Sequence, residues 1–456
     1  MKIIIVGIGK LGEYLSHELV EEKHEVTIID IDFNKHSNII NNEDLNYIKG
    51  NALDSNTLLE AGIANTDLLI SVMEKDEQNV MCCLLGKKLG AKHTIARIRT
   101  PEYANSLNVI KEDIGLSMTI NPEILTARHI AGILSIPSAL DVTTFFKGRL
   151  QLVTFKVLEN SKLVGLSLIN LVKKVTKDLI VCAIERNGKT IIPIGKTIIK
   201  KDDILHVTGR RKEILKLLQY ANLLKEKTKE VMITGGSSTA VYLAELLSEM
   251  NIKNKIIEID PKRCEELCEK LPNTLIIQGD ATDENLLYEE DIESMDGFVA
   301  LNSIDEENII LSMFAKIHNV PKVITKINHI NLDGVVNAAN IDSVITPHKI
   351  AANQIVRYVR AMQEGESSSC ESIYKFNNMN FECVEFIVNS TFKALDIKIK
   401  NINFKEDIVI AAILRGKNII FPVGNDQIKD KDTLIIIHEN KVIKELNDIL
   451  ENDYEK

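Results

Sequence analysis

Residues 1–30, MKIIIVGIGKLGEYLSHELVEEKHEVTIID, decide the fold of the first half of the chain. Met1 to Val6 is an apolar run of strand length, the turn GIGKLG follows it, and apolar residues then recur at helical spacing. A second apolar run ends in Asp30, 18 positions after Gly12. This order of strand, glycine turn, helix and acidic residue is the fingerprint of a dinucleotide-binding unit.

Each residue of this fingerprint has a separate physical task. Gly7 permits the tight turn, Gly9 lets a pyrophosphate approach the backbone, and Gly12 lets the helix pack closely on the strand. The start of the helix then offers N–H groups to the phosphates. Asp30 accepts hydrogen bonds from ribose hydroxyls and repels a 2′-phosphate, which favours NAD(H) over NADP(H). The alternative interpretation is a glycine cluster that serves packing alone.

Composition limits the class of protein. The chain has 456 residues, 26% charged and 45% hydrophobic, which is typical of a globular protein with about three domains. Its net charge of −10 argues against binding to nucleic acid or anionic lipid, because either partner requires a basic face. No apolar run approaches the roughly 20 residues of a membrane-spanning helix. We therefore expect a cytoplasmic protein without direct membrane insertion.

Cysteine and histidine spacing gives no sign of a reactive centre. The seven cysteines form no CxxC pair, and the ten histidines are scattered. Cys264 and Cys268 lie four positions apart on a predicted helix, but no second pair completes a zinc site. Buried free thiols are the simpler interpretation. We predict neither a metal site nor an enzyme, since no recognisable catalytic motif occurs.

The second half of the chain repeats the first. GNALDSNTLLEAGI, from Gly50, returns as GDATDENLLYEEDI from Gly279, and DEQN at 76–79 returns as DEEN at 305–308. Both pairs are separated by 229 residues, and HTIARI and GKTIIPIG return as KVITKI and GKNIIFPVG at the same distance. Repeats of this length indicate tandem duplication of a multi-element module rather than a solenoid.

Within each copy the pattern changes partway. The first part alternates strand-like runs with helical stretches, which predicts a parallel sheet with helices on both faces. The second part contains short β runs broken by polar turns, among them the hairpin signal Asn187-Gly188. The predicted fold class is therefore α/β, with two Rossmann-like doubly wound parallel-sheet domains, each followed by a small α+β domain.

This pattern divides the chain into seven segments. They are N-module 1 at 1–120, a crossover helix and linker at 121–138, a small β-rich C-module 1 at 139–224 with a terminal helix at 212–224, a connector at 225–230, N-module 2 at 231–348, a crossover helix and linker at 349–370, and a β-rich C-module 2 at 371–456.

With these motifs in this order, the chain resembles the TrkA family of Trk system potassium uptake proteins, which contain tandem regulator of potassium conductance modules. GIGKLG, GNALD, ARIR and GDATD carry the resemblance, and the duplication is its most specific part. The resemblance implies a cytosolic regulatory subunit that forms a homo-oligomeric ring, a dimer or tetramer of the duplicated chain, peripheral to a membrane-spanning potassium transporter subunit. It also implies NAD(H) in the N-modules, with ATP or ADP as further ligands.

The resemblance further assigns a first nucleotide pocket, position by position. The residues of its phosphate turn, ribose acid, strand-end walls and phosphate-facing base are Gly7, Ile8, Gly9, Lys10, Leu11, Asp30, Asn51, Ala52, Val72, Met73 and Arg97. These positions fall at the carboxyl ends of predicted parallel strands, where open α/β sheets bind ligands. A solvated surface charge is the alternative interpretation of Arg97.

The second pocket departs from the pattern. At a shift of 228 residues GIGKLG becomes GGSSTA, so Ser237 and Ala240 replace the second and third glycines. A side chain at Ser237 holds the backbone away from a pyrophosphate, unless its own hydroxyl binds a phosphate. The corresponding residues are Gly235, Gly236, Ser237, Ser238, Thr239, Glu258, Asp280, Ala281, Leu301, Asn302 and Lys326. The second pocket is therefore interpreted either as a nucleotide site or as a structural pseudo-site that binds no nucleotide.

Two classes of function compete for this sequence. The fingerprint is shared with NAD-dependent oxidoreductases, but the β-rich modules are too small for a typical substrate domain. A regulatory subunit needs only a nucleotide, a two-state module and a partner, and two copies per chain let a dimer form a pseudo-fourfold ring. We predict the regulatory subunit of a Trk-type potassium transporter, and regulation of another ion transporter stays open.

Overall fold

The computed structural model describes residues 1–32, 45–100, 103, 114–145, 150–224, 227–328, 341–364, 370–375, 381–405, 408–439, 443 and 445–451. These residues form four sheets, with six, five, six and five strands in chain order. The chain is divided into two compact units. The first unit contains the N-terminal sheet and residues 345–356, and the second contains the other three sheets.

The N-terminal sheet is parallel and doubly wound. Its strands are β1 (Lys2–Val6), β2 (Glu25–Asp30), β3 (Leu45–Lys49), β4 (Leu68–Ser71), β5 (His93–Arg97) and β6 (Met118–Ile120). Its helices are α1 (Lys10–Glu21), α2 (Ser55–Glu60) and α3 (Asp76–Leu89). The strand order β3-β2-β1-β4-β5-β6 reverses direction between β1 and β4, so a crevice opens beyond the carboxyl ends of these two strands.

Hydrophobic patterning explains why these elements form. All four residues of β4 are buried, as expected for a central parallel strand covered by helices on both faces. On α1 the buried leucines are Leu11, Leu15 and Leu19, four residues apart, which confirms the apolar helix face predicted from the sequence. The second apolar layer, on the other side of the sheet from α1, includes Leu58 and Cys82.

C-module 1 follows helix α4 (Pro122–Leu134) and consists of an antiparallel sheet with two helices. Its strands are β7 (Asp141–Phe145), β8 (Leu150–Lys156), β9 (Leu179–Arg186), β10 (Lys189–Ile191) and β11 (Ile204–Gly209), in the order β10-β9-β11-β8-β7. Its helices are α5 (Leu168–Lys174) and α6 (Arg211–Tyr220).

Turn chemistry fixes two boundaries in C-module 1. Asn187 and Gly188 both have positive φ, 53° and 73°, and connect β9 to β10, which confirms the predicted hairpin. Helix α6 was expected to continue to residue 224, but it ends at Tyr220. Asn222 adopts φ 60°, and the Leu223 N–H donates to the Leu218 carbonyl at 2.8 Å, so a left-handed cap closes the helix early.

N-module 2 repeats the architecture of N-module 1. Its strands are β12 (Glu230–Thr234), β13 (Lys253–Glu258), β14 (Leu275–Gln278), β15 (Gly297–Ala300), β16 (Lys322–Lys326) and β17 (Ser343–Ile345), in the order β14-β13-β12-β15-β16-β17. Its helices are α7 (Ser238–Glu249), α8 (Pro261–Lys270), α9 (Glu284–Glu289) and α10 (Asp305–Ile317), and α11 (Pro347–Glu364) follows β17.

C-module 2 has a second antiparallel sheet, and this sheet shares a core with that of C-module 1. Its strands are β18 (Cys370–Lys375), β19 (Phe381–Ile387), β20 (Ile408–Arg415), β21 (Asn418–Ile420) and β22 (Thr433–Glu439), in the order β18-β19-β22-β20-β21. Leu152 and Cys182 of one sheet lie in one buried cluster with Cys383 and Ile435 of the other. The sequence did not predict this pairing of the two sheets.

Cysteine burial agrees with the sequence prediction at most positions. Cys82, Cys83, Cys182, Cys264 and Cys383 are buried free thiols, but Cys268 is exposed, so the expectation of a buried thiol is wrong there. In the described part of the chain, no helix is long and apolar enough to cross a membrane.

Candidate functional site

The first glycine turn lies at the crevice between β1 and β4. Gly7 has φ 96°, and a Cβ on it would lie 3.0 Å from the backbone N of Met73 at the end of β4. A Cβ on Gly12 would lie only 2.0 Å from the carbonyl oxygen of Gly7, so α1 packs directly on the turn. Gly9 differs, because a Cβ there would meet nothing within 4 Å. Open space therefore lies in front of the start of α1.

The Asp30 carboxylate at the end of β2 holds this turn in place. Its Oδ2 accepts a hydrogen bond from the Ile8 N–H at 2.7 Å, and its Oδ1 accepts one from the Asp32 N–H at 2.9 Å. Each carboxylate oxygen has a second lone pair, so Asp30 can still accept from a ligand hydroxyl. The same carboxylate thus shapes the turn and faces the crevice.

The residues predicted as walls of the first pocket lie just after β3 and β4. Ala52 and Val72 are buried, with 3% and 4% of their surface exposed. Asn51 is exposed, and its Oδ1 accepts from the Leu53 N–H at 3.0 Å. Met73 is half-buried beside the glycine turn. Buried apolar residues therefore follow both strands, with the polar Asn51 beside Ala52.

Asn79 on α3 fixes the wall and was not assigned a role from the sequence. Its Oδ1 accepts from the Ser71 hydroxyl and the Met73 N–H, both at 2.8 Å. Its Nδ2 donates to the carbonyls of Met73 at 3.0 Å and Arg97 at 2.9 Å. One buried amide therefore ties the carboxyl ends of β4 and β5 together.

The second copy has an equivalent asparagine, which holds the end of β15. Asn308 Oδ1 accepts from the Asn302 N–H at 2.9 Å, and its Nδ2 donates to the Asn302 carbonyl at 3.0 Å. The repeated DEQN and DEEN segments were the sequence signal that could have identified both asparagines.

Arg97 ends β5 in a cluster of charged groups. Its Nε, Oδ1 of Asp76 and Oε2 of Glu123 are buried and make no hydrogen bond to any described residue. The other Asp76 oxygen accepts from the N–H groups of Arg99 and Thr100, both at 2.9 Å. Buried polar atoms normally have partners, so the unpaired Nε of Arg97 marks this cluster as a candidate ligand site.

Burial changes the proton affinities in this cluster. It lowers the pKa of the Arg97 guanidinium, and the neighbouring charge of Arg99 lowers it further. Burial also raises the pKa of the Glu123 carboxyl, against the opposing effect of Arg97. Glu123 was missed from the sequence because it belongs to the next element, α4. It has no acidic counterpart in the second copy, where His348 follows the matching proline.

The second glycine turn differs from the first in having a side-chain cap at the start of its helix. Ser237 occupies the N-cap of α7, and its hydroxyl accepts from the Ala240 N–H at 3.4 Å. The first copy has Gly9 at this position, with no side-chain cap. Gly235 has φ 87°, and a Cβ on it would lie 2.6 Å from Oδ1 of Asn302. The start of α7 is therefore capped by the protein's own side chain.

Glu258 makes the same contacts as Asp30. Its Oε2 accepts from the Gly236 N–H at 2.6 Å and its Oε1 from the Asp260 N–H at 2.9 Å. Arg263 of α8, not identified from the sequence, donates through Nε to the Gly236 carbonyl at 2.8 Å. The second turn is therefore held from both sides.

A cavity of about 480 Å³ lies beside this turn. Eight predicted residues line it: Gly235, Gly236, Ser237, Glu258, Asp280, Ala281, Leu301 and Asn302. Further lining residues are Ile257, Ile259, Gly279, Thr282, Ser303, Ile304 and Glu307.

Acidic side chains distinguish the second crevice from the first. Asp280 and Glu307 line it at the positions of Asn51 and Gln78 in the first copy. Oδ1 of Asp280 accepts from the Thr282 N–H and hydroxyl at 2.9 and 2.7 Å, and these bonds lower the pKa of the Asp280 carboxyl. It is therefore ionised at neutral pH and opposes the approach of a phosphate.

Five of the predicted residues lie at the starts of α1 and α7 or at the end of β16. Lys10 is exposed at the start of α1, and Leu11 is buried in the core beneath it. Ser238 and Thr239 begin α7 and are not among the residues that line the cavity, and Thr239 is buried. Lys326 is the last residue of β16, the position that Arg97 has in β5.

Fold and sites together define a tandem Rossmann-type protein in which each nucleotide-type crevice precedes a small antiparallel module. Comparison with known families agrees with this class. The TrkA-N domain matches residues 3–122 and 231–347, and the TrkA-C domain matches residues 152–222 and 383–451. The chain belongs to the TrkA family of Trk system potassium uptake proteins.

Relatives extend over nearly the whole chain. The Trk system potassium uptake protein TrkA of Haemophilus influenzae is 31% identical over 448 residues, which cover 97% of this chain and 96% of that protein. A TrkA homolog of Archaeoglobus fulgidus is 28% identical over 449 residues, covering 98% and 100%. The solved structure "GsuK channel bound to NAD" matches with a TM-score of 0.63 at 17% identity, covering 96% and 76%. At this identity the structure supports the fold alone.

Proposed function

We propose that the protein is the nucleotide-binding regulatory subunit of a Trk-type potassium transporter and that NAD(H) binds in the first crevice. The observation that carries the proposal is the pair of glycine turns. Each turn donates a backbone hydrogen bond to the acid at the end of the next strand, and only the first turn lacks a side-chain cap at the start of its helix. The names of the relatives support the potassium system, and the GsuK channel, which shares the fold, was solved with NAD bound.

The residues of the first crevice suit the parts of NAD(H). The pyrophosphate fits the open space before α1, where the first N–H groups of a helix have no partner within the helix. The Asp30 carboxylate accepts from the ribose hydroxyls, and the adenine lies against the residues that follow β3 and β4. Arg97 faces the phosphates with its buried Nε. Bound NAD(H) acts here as an effector and not as a redox reagent.

The second crevice binds polyphosphates more weakly in this proposal. Ser237 caps the helix start, and the carboxylates of Asp280 and Glu307 lie where the first copy has the neutral Asn51 and Gln78. Both features oppose a pyrophosphate, the first by competition for the helix end and the second by repulsion. ATP and ADP therefore compete with NAD(H) mainly at the first site.

Regulation requires that the nucleotide bind one state of the protein better than another. A triphosphate and a dinucleotide place charge differently between the turn at Gly9 and the strand end at Arg97. ATP and NADH therefore leave a ring of TrkA-type modules in different shapes, and the membrane-spanning subunit responds to the shape. The protein lies on the cytoplasmic face of the membrane through this partner.

Two measurements test the proposal. Calorimetric titration with NADH is expected to show binding that Asp30→Ala weakens and that the matched change Glu258→Ala, in the second copy, leaves unchanged. Potassium flux into proteoliposomes that contain the membrane subunit is expected to depend on added protein and on the nucleotide. Steady-state hydride transfer that is lost with Asp30→Ala would identify an oxidoreductase instead. A potassium flux that does not change when the protein is added would exclude the potassium transporter as its target.

A further inference from the structure

C-module 1 exposes a cluster of aliphatic side chains. Val164, Ile169, Ile194 and Ile198 are 39%, 47%, 68% and 52% exposed. Two hydrogen-bonded segments carry them: the Ile169 N–H donates to the Gly195 carbonyl at 2.9 Å, and Ile198 forms an antiparallel bridge with Ser167. We call these four residues the aliphatic patch.

Lysines lie next to the aliphatic patch in both segments. Lys173 follows Ile169 by four residues on α5 and therefore lies on the same helix face. Lys196 and Lys200 each lie two positions from Ile198. All three lysines are exposed, and none forms an ion pair with another residue in the described part of the chain.

The charge of the chain is distributed unevenly between the two C-modules. Residues 152–222 contain 14 lysines and arginines against six aspartates and glutamates, whereas residues 383–451 contain ten against eleven. The net charge of −10 argued against contact with anionic lipid, but it is a sum over the whole chain, and C-module 1 by itself is basic.

C-module 2 shows that the fold does not require this surface. The Lys400 N–H donates to the Gly424 carbonyl at 2.9 Å, the contact that Ile169 makes in C-module 1, so lysine replaces isoleucine there. Gly165 and Asp396 make the same backbone contact in the two modules, so the half-buried Leu395 occupies the position of Val164, and Gln427 replaces Ile198. Only Val423, at the position of Ile194, keeps an exposed aliphatic side chain, with 51% exposed.

We propose that the aliphatic patch and its lysines dock C-module 1 on the surface of an anionic lipid bilayer. Apolar side chains flanked by lysines match the headgroup boundary of such a bilayer, which attracts basic groups. Lysine is depleted in protein interfaces, which disfavours a protein partner. Contact with a second copy of the same patch would oppose lysine to lysine, which disfavours self-association. The docking does not depend on nucleotide binding and so goes beyond the proposed function.

Vesicle flotation of the full chain tests the docking. We expect the protein to float with vesicles containing phosphatidylglycerol but not with pure phosphatidylcholine, and to detach as salt rises. Lys196→Glu and Lys200→Glu should each weaken binding about fivefold or more, the equivalent of about 1 kcal/mol per lysine near the surface. The double variant Ile194→Asn and Ile198→Gln should also weaken it.

The second copy supplies the matched control. Val423→Asn changes the equivalent exposed position in C-module 2 and should leave flotation unchanged. Thermal unfolding of each variant shows whether it is folded. Absence of binding to phosphatidylglycerol vesicles at low salt, or equal loss with Val423→Asn, would overturn the proposal. A second result would also overturn it: the protein fails to bind vesicles but binds the detergent-solubilised membrane subunit, and these variants abolish that binding. The surface would then be a protein interface.

Discussion

Two glycines of the first turn should respond in opposite ways to the same substitution. A Cβ on Gly12 would lie 2.0 Å from the Gly7 carbonyl oxygen, whereas a Cβ on Gly9 would meet nothing within 4 Å. Gly9 has φ −60° and ψ 178°, which alanine adopts without strain. Gly12→Ala therefore tests packing of α1 on the turn, and Gly9→Ala tests access to the turn.

The expected magnitudes follow from these contacts. Gly12→Ala forces backbone atoms apart and should lower the free energy of unfolding by on the order of 3 kcal/mol. Gly9→Ala should change it by less than about 1 kcal/mol, because the loss of a favourable N-cap glycine is offset by a less flexible unfolded chain. For NADH, the added methyl should remove at least one hydrogen bond to charged phosphate, about 1.5–3 kcal/mol or roughly 10- to 150-fold in affinity.

Urea unfolding and calorimetric titration measure the two effects separately. Adenosine serves as the control ligand, since it lacks phosphates and should bind the wild type and Gly9→Ala alike. Unchanged NADH affinity in Gly9→Ala would refute the reasoning, because it would show that the pyrophosphate does not lie over the turn. Ala240 occupies the position of Gly12 in the second copy, so a folded but less stable Gly12→Ala is the expected outcome.

Three further predictions concern the charged groups of the first crevice. Asp30→Ala should weaken nucleotide binding by about 1–3 kcal/mol, measured by titration, and Asp30→Asn should weaken it less because one acceptor oxygen remains. Arg97→Ala should reduce the difference between the small-angle scattering profiles with ATP and with NADH, and its effect on adenosine binding should be smaller. Identical wild-type profiles with the two nucleotides at saturation would contradict the proposed change of shape. Because burial raises the pKa of Glu123, protonation of this carboxyl as pH falls should tighten ATP binding, and Glu123→Gln should abolish that pH dependence.

Local sequence signals predicted much of the fold because the relevant interactions are local. The glycine turn, the apolar face of α1 and the Asn187-Gly188 hairpin each depend on residues within a few positions of one another. The end of α6 was not predicted because Asn222 forms its left-handed cap, and asparagine is a weaker sequence signal of a helix end than glycine.

The remaining features depend on contacts between distant segments. Glu123 reaches the Arg97 cluster from α4, and no spacing rule connects the two positions. The joint core of the two antiparallel sheets includes Cys182 and Cys383, residues with 200 others between them. Such contacts need a three-dimensional arrangement that the apolar pattern permits but does not specify.

The contacts of Asp30 give the first crevice a direct connection to the rest of its unit. A ribose that hydrogen-bonds to this carboxylate acts on the group that holds the Ile8 N–H, and Ile8 lies two residues before α1. One turn into α1, the Tyr14 ring packs edge-on against His348 at the start of α11, with ring centroids 5.9 Å apart. Because a helix is a rigid element, a ligand that displaces the start of α1 also changes the contact between Tyr14 and His348. On the proposed function, Asp30 therefore connects ribose binding to the second crossover helix.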